Sequence, residues 1–266
     1  MGAQQLDLFA AGGVSPTAVA HGWHREPMCV AELSDAALIE AIPSAGLSEC
    51  VALTEEAARR GLRAAVPELE ALCRRFRGFG LHRGVPEQIS AVRALAALGG
   101  TDAAAAVRRL IATAVVQGPG LSEAVHAASL LHCRLPEDAA VVLLRHADPE
   151  VRAAACRCVP NTSQVVNVLL ELLGDLHGAV AMAAACALGR IGRAEVRPAL
   201  LRLLRTAPCA DVISAVTRIA DEEVVVLLGR IVRANASLRE TALAALEDMD
   251  TPRARVVLAG IIAAQG

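Results

Sequence analysis

His21, His24 and Cys29 lie close together around Trp23, and imidazole with thiolate is the ligand chemistry that zinc favours. Such a centre needs a second close pair of ligands, which this stretch lacks, so no metal is expected. Cys156 and Cys158 stand two apart on a helix; side chains at that spacing point to different faces, which excludes a redox pair. His126 and His132, six apart, match one face no better. Neighbouring carboxylates occur at Glu55 and Glu56, at Glu68 and Glu70, and at Asp221, Glu222 and Glu223. All fall where helices begin or face water, where dipole complementation and solvation account for them. No Ser, Cys or His stands in a nucleophile elbow, and no glycine pattern forms a phosphate loop. The expectation is a chain without catalytic residues, metal or cofactor.

Two constellations point to binding instead. Ten arginines lie between Arg59 and Arg109 against only Glu68, Glu70, Glu87 and Asp102. Arg74, Arg75, Arg77 and Arg83 could line one end of a concave surface and contact phosphates. Phe76 and Phe79 are the only rings nearby, too few for a base-stacking surface. Solvation of an outer helix face explains the same arginines and is the favoured reading. The second constellation is Gln5-Leu6-Asp7-Leu8-Phe9, three large apolar groups in a segment with no other reason to be apolar. Such a peptide can fill a preformed pocket, with Gln5 supplying both an amide donor and an acceptor. The five residues resemble the short motif by which bacterial repair and replication factors dock on the sliding clamp. That resemblance assigns Gln5 to a polar subsite, Leu6 to an edge contact, Leu8 and Phe9 to the hydrophobic pocket, and Asp7 to the rim. The alternative is that Leu6, Leu8 and Phe9 fold back and cap the first repeat.

The elements that must carry these residues are short helices. Residues 1–31 hold the breakers Gly12-Gly13, Ser15-Pro16 and Pro27 and read as a loosely docked arm. From residue 32 to 266 the text falls into about seven helix pairs. Ser34 is placed as an N-cap for Asp35–Ile42, which pairs with Ser48–Arg60, and Glu68–Arg77 is an extra helix. Pro67 and Pro86 open helices, where a missing N–H costs nothing, and Thr101 is expected to cap the next one. Later pairs begin near Gly120, Pro149, Gly178, Pro208 and Ser237, a spacing of 29 to 34 residues. A unit that small cannot bury its own apolar face and must stack on a neighbour.

Composition agrees. Of 266 residues 55% are apolar but only 2% aromatic, which suits closely packed helices in which alanine carries no side-chain entropy. Every one of the 26 basic residues is arginine, and the net charge of -2 gives no global drive toward nucleic acid or anionic membrane. Eight cysteines in so long a chain do not form a disulfide framework. Cys50, Cys73, Cys133, Cys156, Cys158, Cys186 and Cys209 fall in apolar helical text as small hydrophobes. With no signal-peptide pattern and no apolar run long enough for a membrane, a cytoplasmic location is expected.

Asp148-Pro149-x-Val151-Arg152-x-x-Ala155, Ala183-x-x-x-Ala187-Leu188-Gly189-x-Ile191-Gly192 and, more weakly, Leu238-Arg239-x-x-Ala242-x-x-Ala245-Leu246 resemble the HEAT-repeat family. The closest form is its short bacterial variety, the PBS-lyase-type repeat. The resemblance is good from about residue 120 onward and degraded between 31 and 118. It implies an all-α, right-handed α-α superhelix and an inter-repeat ladder of acid and arginine, here Asp148, Arg152 and Arg239. The ladder should break at Asp211, where the expected Pro and Arg are missing. The function expected is a non-catalytic scaffold that binds a protein on its concave face, tethered through the arm to the sliding clamp. Two alternatives stand beside it: a DNA-binding repair accessory using the arginine-rich half, and a lyase-type enzyme subunit.

Overall fold

The computed structural model describes residues 29–219 and 221–263. After a 3-10 turn at Val30–Glu32 come α1 (Asp35–Ala41), α2 (Leu47–Arg59), α3 (Val66–Arg75), α4 (Pro86–Leu98) and α5 (Gly100–Ala112). The middle of the chain forms α6 (Pro119–Leu130), α7 (Glu137–Leu144), α8 (Pro149–Ala155), α9 (Ser163–Leu172) and α10 (Gly178–Ile191). Then follow α11 (Arg197–Thr206), α12 (Ala210–Val216), α13 (Glu222–Ala234), α14 (Arg239–Met249) and α15 (Pro252–Ala263). No strand occurs among the described residues.

Local chemistry sets these boundaries. Ser34 Oγ accepts the Ala37 N–H at 3.3 Å, and Asp221 accepts from Glu223 and Val224 at 3.1 Å, each capping the helix that follows. Pro86, Pro119, Pro149 and Pro252 stand at the first helical position. Thr101 is not a cap: α5 starts one residue earlier, at Gly100, because Gly99 takes the cap position with φ 66°. The expected unit starts agree with the observed helices to within two residues from α4 to α14.

The helices form two rows. The even-numbered helices α2, α4, α6, α8, α10, α12 and α14 stack each on the next. In the odd row α3 packs on α5, α7 on α9, α11 on α13 and α13 on α15, and every odd helix from α3 to α13 also packs on the even helix after it. α1 packs on α2, as expected of the first pair, while α3, expected as an extra helix, takes a place in the odd row against α4 and α5. Ala31, where the arm was expected to end, is held in place: Arg60 donates to the Ala31 carbonyl at 3.0 Å and the Leu33 carbonyl at 2.8 Å, which fastens this turn to α2. Gln5 to Phe9, His21, Trp23 and His24 lie outside the described residues.

Side-chain size separates the rows. The even row buries alanine: Ala91 and Ala94, Ala124 and Ala128, Ala154 and Ala155, Ala184 and Ala187, Ala242 and Ala245. The odd row buries leucine and valine, among them Leu69, Leu110, Leu144, Leu169, Leu200 and Leu228. Each such leucine, taken from water, stabilises the stack by about 1.5–3 kcal/mol. Alanine in the even row lets backbones approach, and at Gly189 they nearly touch. A Cβ there would lie 2.6 Å from the Ala215 carbonyl oxygen of α12.

Candidate functional site

The turns that end the even helices meet along one edge of the stack. The Leu135 N–H, after α6, donates to the Cys158 carbonyl, after α8, at 2.8 Å. Arg190, in the last turn of α10, donates to the Cys156 carbonyl at 3.4 Å. Arg157 reaches further: its Nε and Nη2 donate to Asp211 Oδ2 of α12 at 3.1 and 3.0 Å, two even helices away. These links draw the C-terminal ends of α6, α8 and α10 and the first turns of α12 around a cleft of about 390 Å³ that includes His132, Arg134, Arg157, Arg190, Asp211 and Ser214. A second cleft of about 600 Å³, toward the start of α5, shares His132 and Arg134 and adds Arg108. Together they make a trough with four arginines and a single carboxylate. Arg108, Arg134 and Arg190 have no carboxylate partner among the described residues.

His132 holds an unusual backbone position in this trough. Its φ is +49°, in the left-handed region. The Cys133 N–H donates to the Ala128 carbonyl at 2.9 Å and the His132 N–H to Ser129 at 3.1 Å, the pair of bonds that closes a helix on a left-handed residue. At the end of α10 Gly192 makes the matching turn with φ 87°. Glycine suits that turn; a side chain there strains it by about 1–2 kcal/mol.

The residues singled out in the sequence are placed differently. Of the four expected phosphate ligands, Arg74 donates to Glu70 at 2.6 Å, and Arg75 donates to the Ala45 carbonyl at 2.9 Å and lies over the Phe76 ring. Both are engaged by the fold while staying exposed, and Arg77 and Arg83 have no ion-pair partners among the described residues. Glu70 also takes two bonds from Arg109, at 3.1 and 2.5 Å. Arg109 first, then Arg74, holds the Glu70 carboxyl below its usual range against the opposing effect of burial. In the expected ladder Arg152 makes a rung, but with Asp175 of the next unit, at 2.9 and 3.1 Å. Asp148 is used instead to cap α8, accepting the Glu150 N–H at 2.8 Å, and Arg239 has no ion-pair partner among the described residues. At Asp211, where the ladder was expected to break, the contact to Arg157 takes its place.

The thiols contribute packing. Cys50, Cys73, Cys133, Cys156, Cys158 and Cys186 are buried and Cys209 is half-buried. Burial pushes Cys73, Cys156 and Cys158 up to about 12 and Cys186 to about 11, so all four stay protonated near neutral pH. No group of His, Cys, Asp or Glu among the described residues is arranged to hold a metal ion, and no helix is long and apolar enough to cross a membrane.

Two rows of short helices, each unit leaning on the next, define a helical-repeat solenoid of the HEAT-like type, a class able to contact proteins along its concave face. A family model described as HEAT repeats matches residues 137–219. Among solved structures the chain is similar to one described as the complex of CpcE and CpcF of phycocyanin lyase from Nostoc sp. PCC7120. The identity is 17% and the TM-score 0.58, over 93% of this chain and 97% of that one. At that identity the likeness is one of fold. No curated protein matches the chain.

Proposed function

We propose that the chain is a non-catalytic scaffold that binds a partner protein along the concave face of its repeats. The observation that carries this reading is the unbroken even row from α2 to α14, which presents one continuous surface edged by arginines, of which Arg108 and Arg134 have no carboxylate partner among the described residues. Each unit adds area without redesign of a core. The pentapeptide Gln5 to Phe9 supports a tether to the bacterial sliding clamp, since all five residues fit the docking motif and precede the folded array. The test uses the full chain against purified clamp by surface plasmon resonance. Saturable binding with a dissociation constant at or below about 100 μM, a weak affinity in free-energy terms, is expected. Leu8→Ala with Phe9→Ala should abolish it. No binding of the wild-type chain in that range removes the tether. Tagged full-length chain and a version lacking residues 1–13, expressed in the source organism, test the scaffold itself. Absence of any stoichiometric protein partner in both removes it.

A second reading, a lyase-type enzyme subunit, is supported by the near-complete mutual coverage with one chain of a phycocyanin lyase complex. On that reading the chain works in complex with a second chain. Its copurification, or a prosthetic group visible in the absorption spectrum of the purified complex, decides for this alternative.

A further inference from the structure

We propose, resting on the scaffold reading, that the trough along α6, α8, α10 and α12 is the docking site for an extended acidic segment of the partner protein. Its positive charge is local: four arginines face one aspartate there, in a chain whose net charge is -2. Asp211 is occupied by Arg157, Arg134 has no carboxylate partner among the described residues, and Arg190 spends only its Nη2 on the Cys156 carbonyl at 3.4 Å, which leaves the rest of its fork for a ligand. A guanidinium presents a planar pair of donors that matches a carboxylate, and in a half-enclosed cleft that pairing outweighs its value on an open surface. Ser214 adds a hydroxyl, while Val159, Ala187 and Ile191 offer an apolar floor for the methylene groups of glutamate.

Spacing favours a chain over a small anion. Arg134, Arg157 and Arg190 come from successive units, and stacked helices lie about 8–10 Å apart. An extended polyproline-type chain advances about 3.1 Å per residue, so acidic side chains three apart meet successive units. Nucleic acid fits less well. Extensive backbone binding uses about 6–10 phosphate contacts, more than these arginines supply, and no Phe, Tyr or Trp lines either cleft to stack a base, His132 being the one ring there.

The experiment measures fluorescence anisotropy of a labelled hexaglutamate peptide titrated with the full chain at low ionic strength. Saturable binding is expected, falling with added salt, and stronger than that of hexaglutamine. Arg134→Ala with Arg190→Ala should weaken it by about tenfold or more, the loss of at least one charge-assisted hydrogen bond. Arg190→Lys should fall between, because it keeps the charge and loses the fork. Arg77→Ala, outside the trough, should change nothing. Unaltered circular dichroism and melting of the variants keeps misfolding from imitating the result. The inference is overturned if hexaglutamate binds no better than hexaglutamine, or if the double variant binds like wild type. It is equally overturned if inorganic phosphate displaces the peptide at equal concentration, or if octathymidylate binds more tightly and is lost in the same variant. Partner capture that persists without peptide binding overturns this inference alone; peptide binding without any captured partner removes the scaffold reading and with it the partner segment as the occupant of the trough.

Discussion

His132 carries the clearest trade between stability and surface chemistry in the molecule. It sits at a left-handed helix end where glycine would be unstrained, and its imidazole lines both halves of the trough. Replacing it by glycine relieves backbone strain of about 1–2 kcal/mol but adds about 0.5–1 kcal/mol of unfolded-state freedom. His132→Gly should therefore stabilise the fold by roughly 0.5–1 kcal/mol, read as a higher denaturation midpoint at unchanged slope. It should also weaken hexaglutamate binding. Ala114→Gly is the matching control: Ala114 ends α5 with the same φ of +49° but lines a different groove. That variant should gain similar stability and leave the peptide affinity alone. A destabilised His132→Gly would mean that the imidazole holds the turn together. At this scale the sequence was least informative. The clustered arginines at 74 and 75 draw attention, yet each is engaged at the surface by its own fold, Arg74 by Glu70 and Arg75 by the Ala45 carbonyl. The trough arginines are spread from residue 108 to 190, and only the stacking of repeats brings them together. The signal that could have found them is positional: Arg134 and Arg157 lie just past the ends of first helices, and Arg190 lies within the last turn of one.

Between helices, Gly189 sets how closely α10 and α12 approach. An added Cβ would stand 2.6 Å from the Ala215 carbonyl oxygen and 2.6 Å from Leu200 Cδ1. The leucine can rotate, but the carbonyl belongs to helix backbone and can yield only if the two helices part. Gly189→Ala should cost about 1–3 kcal/mol, the range for overpacking, despite alanine's better helix propensity. Gly178→Ala, at the open start of the same helix, meets nothing within 4 Å. It should be neutral or gain up to about 1 kcal/mol. Urea unfolding of the two variants separates close approach from propensity; equal effects would show that the α10–α12 contact is not tight. Elements were the most readable level of this chain. Prolines and caps fixed where helices begin, because a missing N–H or a side-chain acceptor acts within one turn. The family pattern made Gly189 visible, whereas its reason, an approach to Ala215, depends on a partner 26 positions away. Assignment of α3 to the odd row escaped notice for a similar cause: rows are decided by neighbours, which no local pattern records.

Across the whole molecule the even row is continuous while the odd row pairs its helices more loosely between α5 and α7 and between α9 and α11. Stability in such a stack is a sum over units and the interfaces between neighbours, so it falls toward the ends. Hydrogen exchange should therefore be slowest in α4, α6, α8 and α10, each with even-row neighbours on both sides, and fastest in α15. The same picture decides what Gly189→Ala does beyond its cost in stability. Weakening the α10–α12 contact should lower protection in α12 to α15 far more than in α4 to α8, because the strain reaches the earlier units only through intact interfaces. A uniform loss of protection in every helix would instead mark one cooperative globule and contradict the repeat architecture. This bears on binding as well. Asp211 and Ser214 close one end of the trough from α12, whereas Arg134, Arg157 and Arg190 stand on the better-protected side. Loosening α12 should thus release Arg157 from Asp211 without dispersing the arginines. In the Gly189→Ala chain hexaglutamate should bind at least as well as in wild type, even as the C-terminal helices exchange faster.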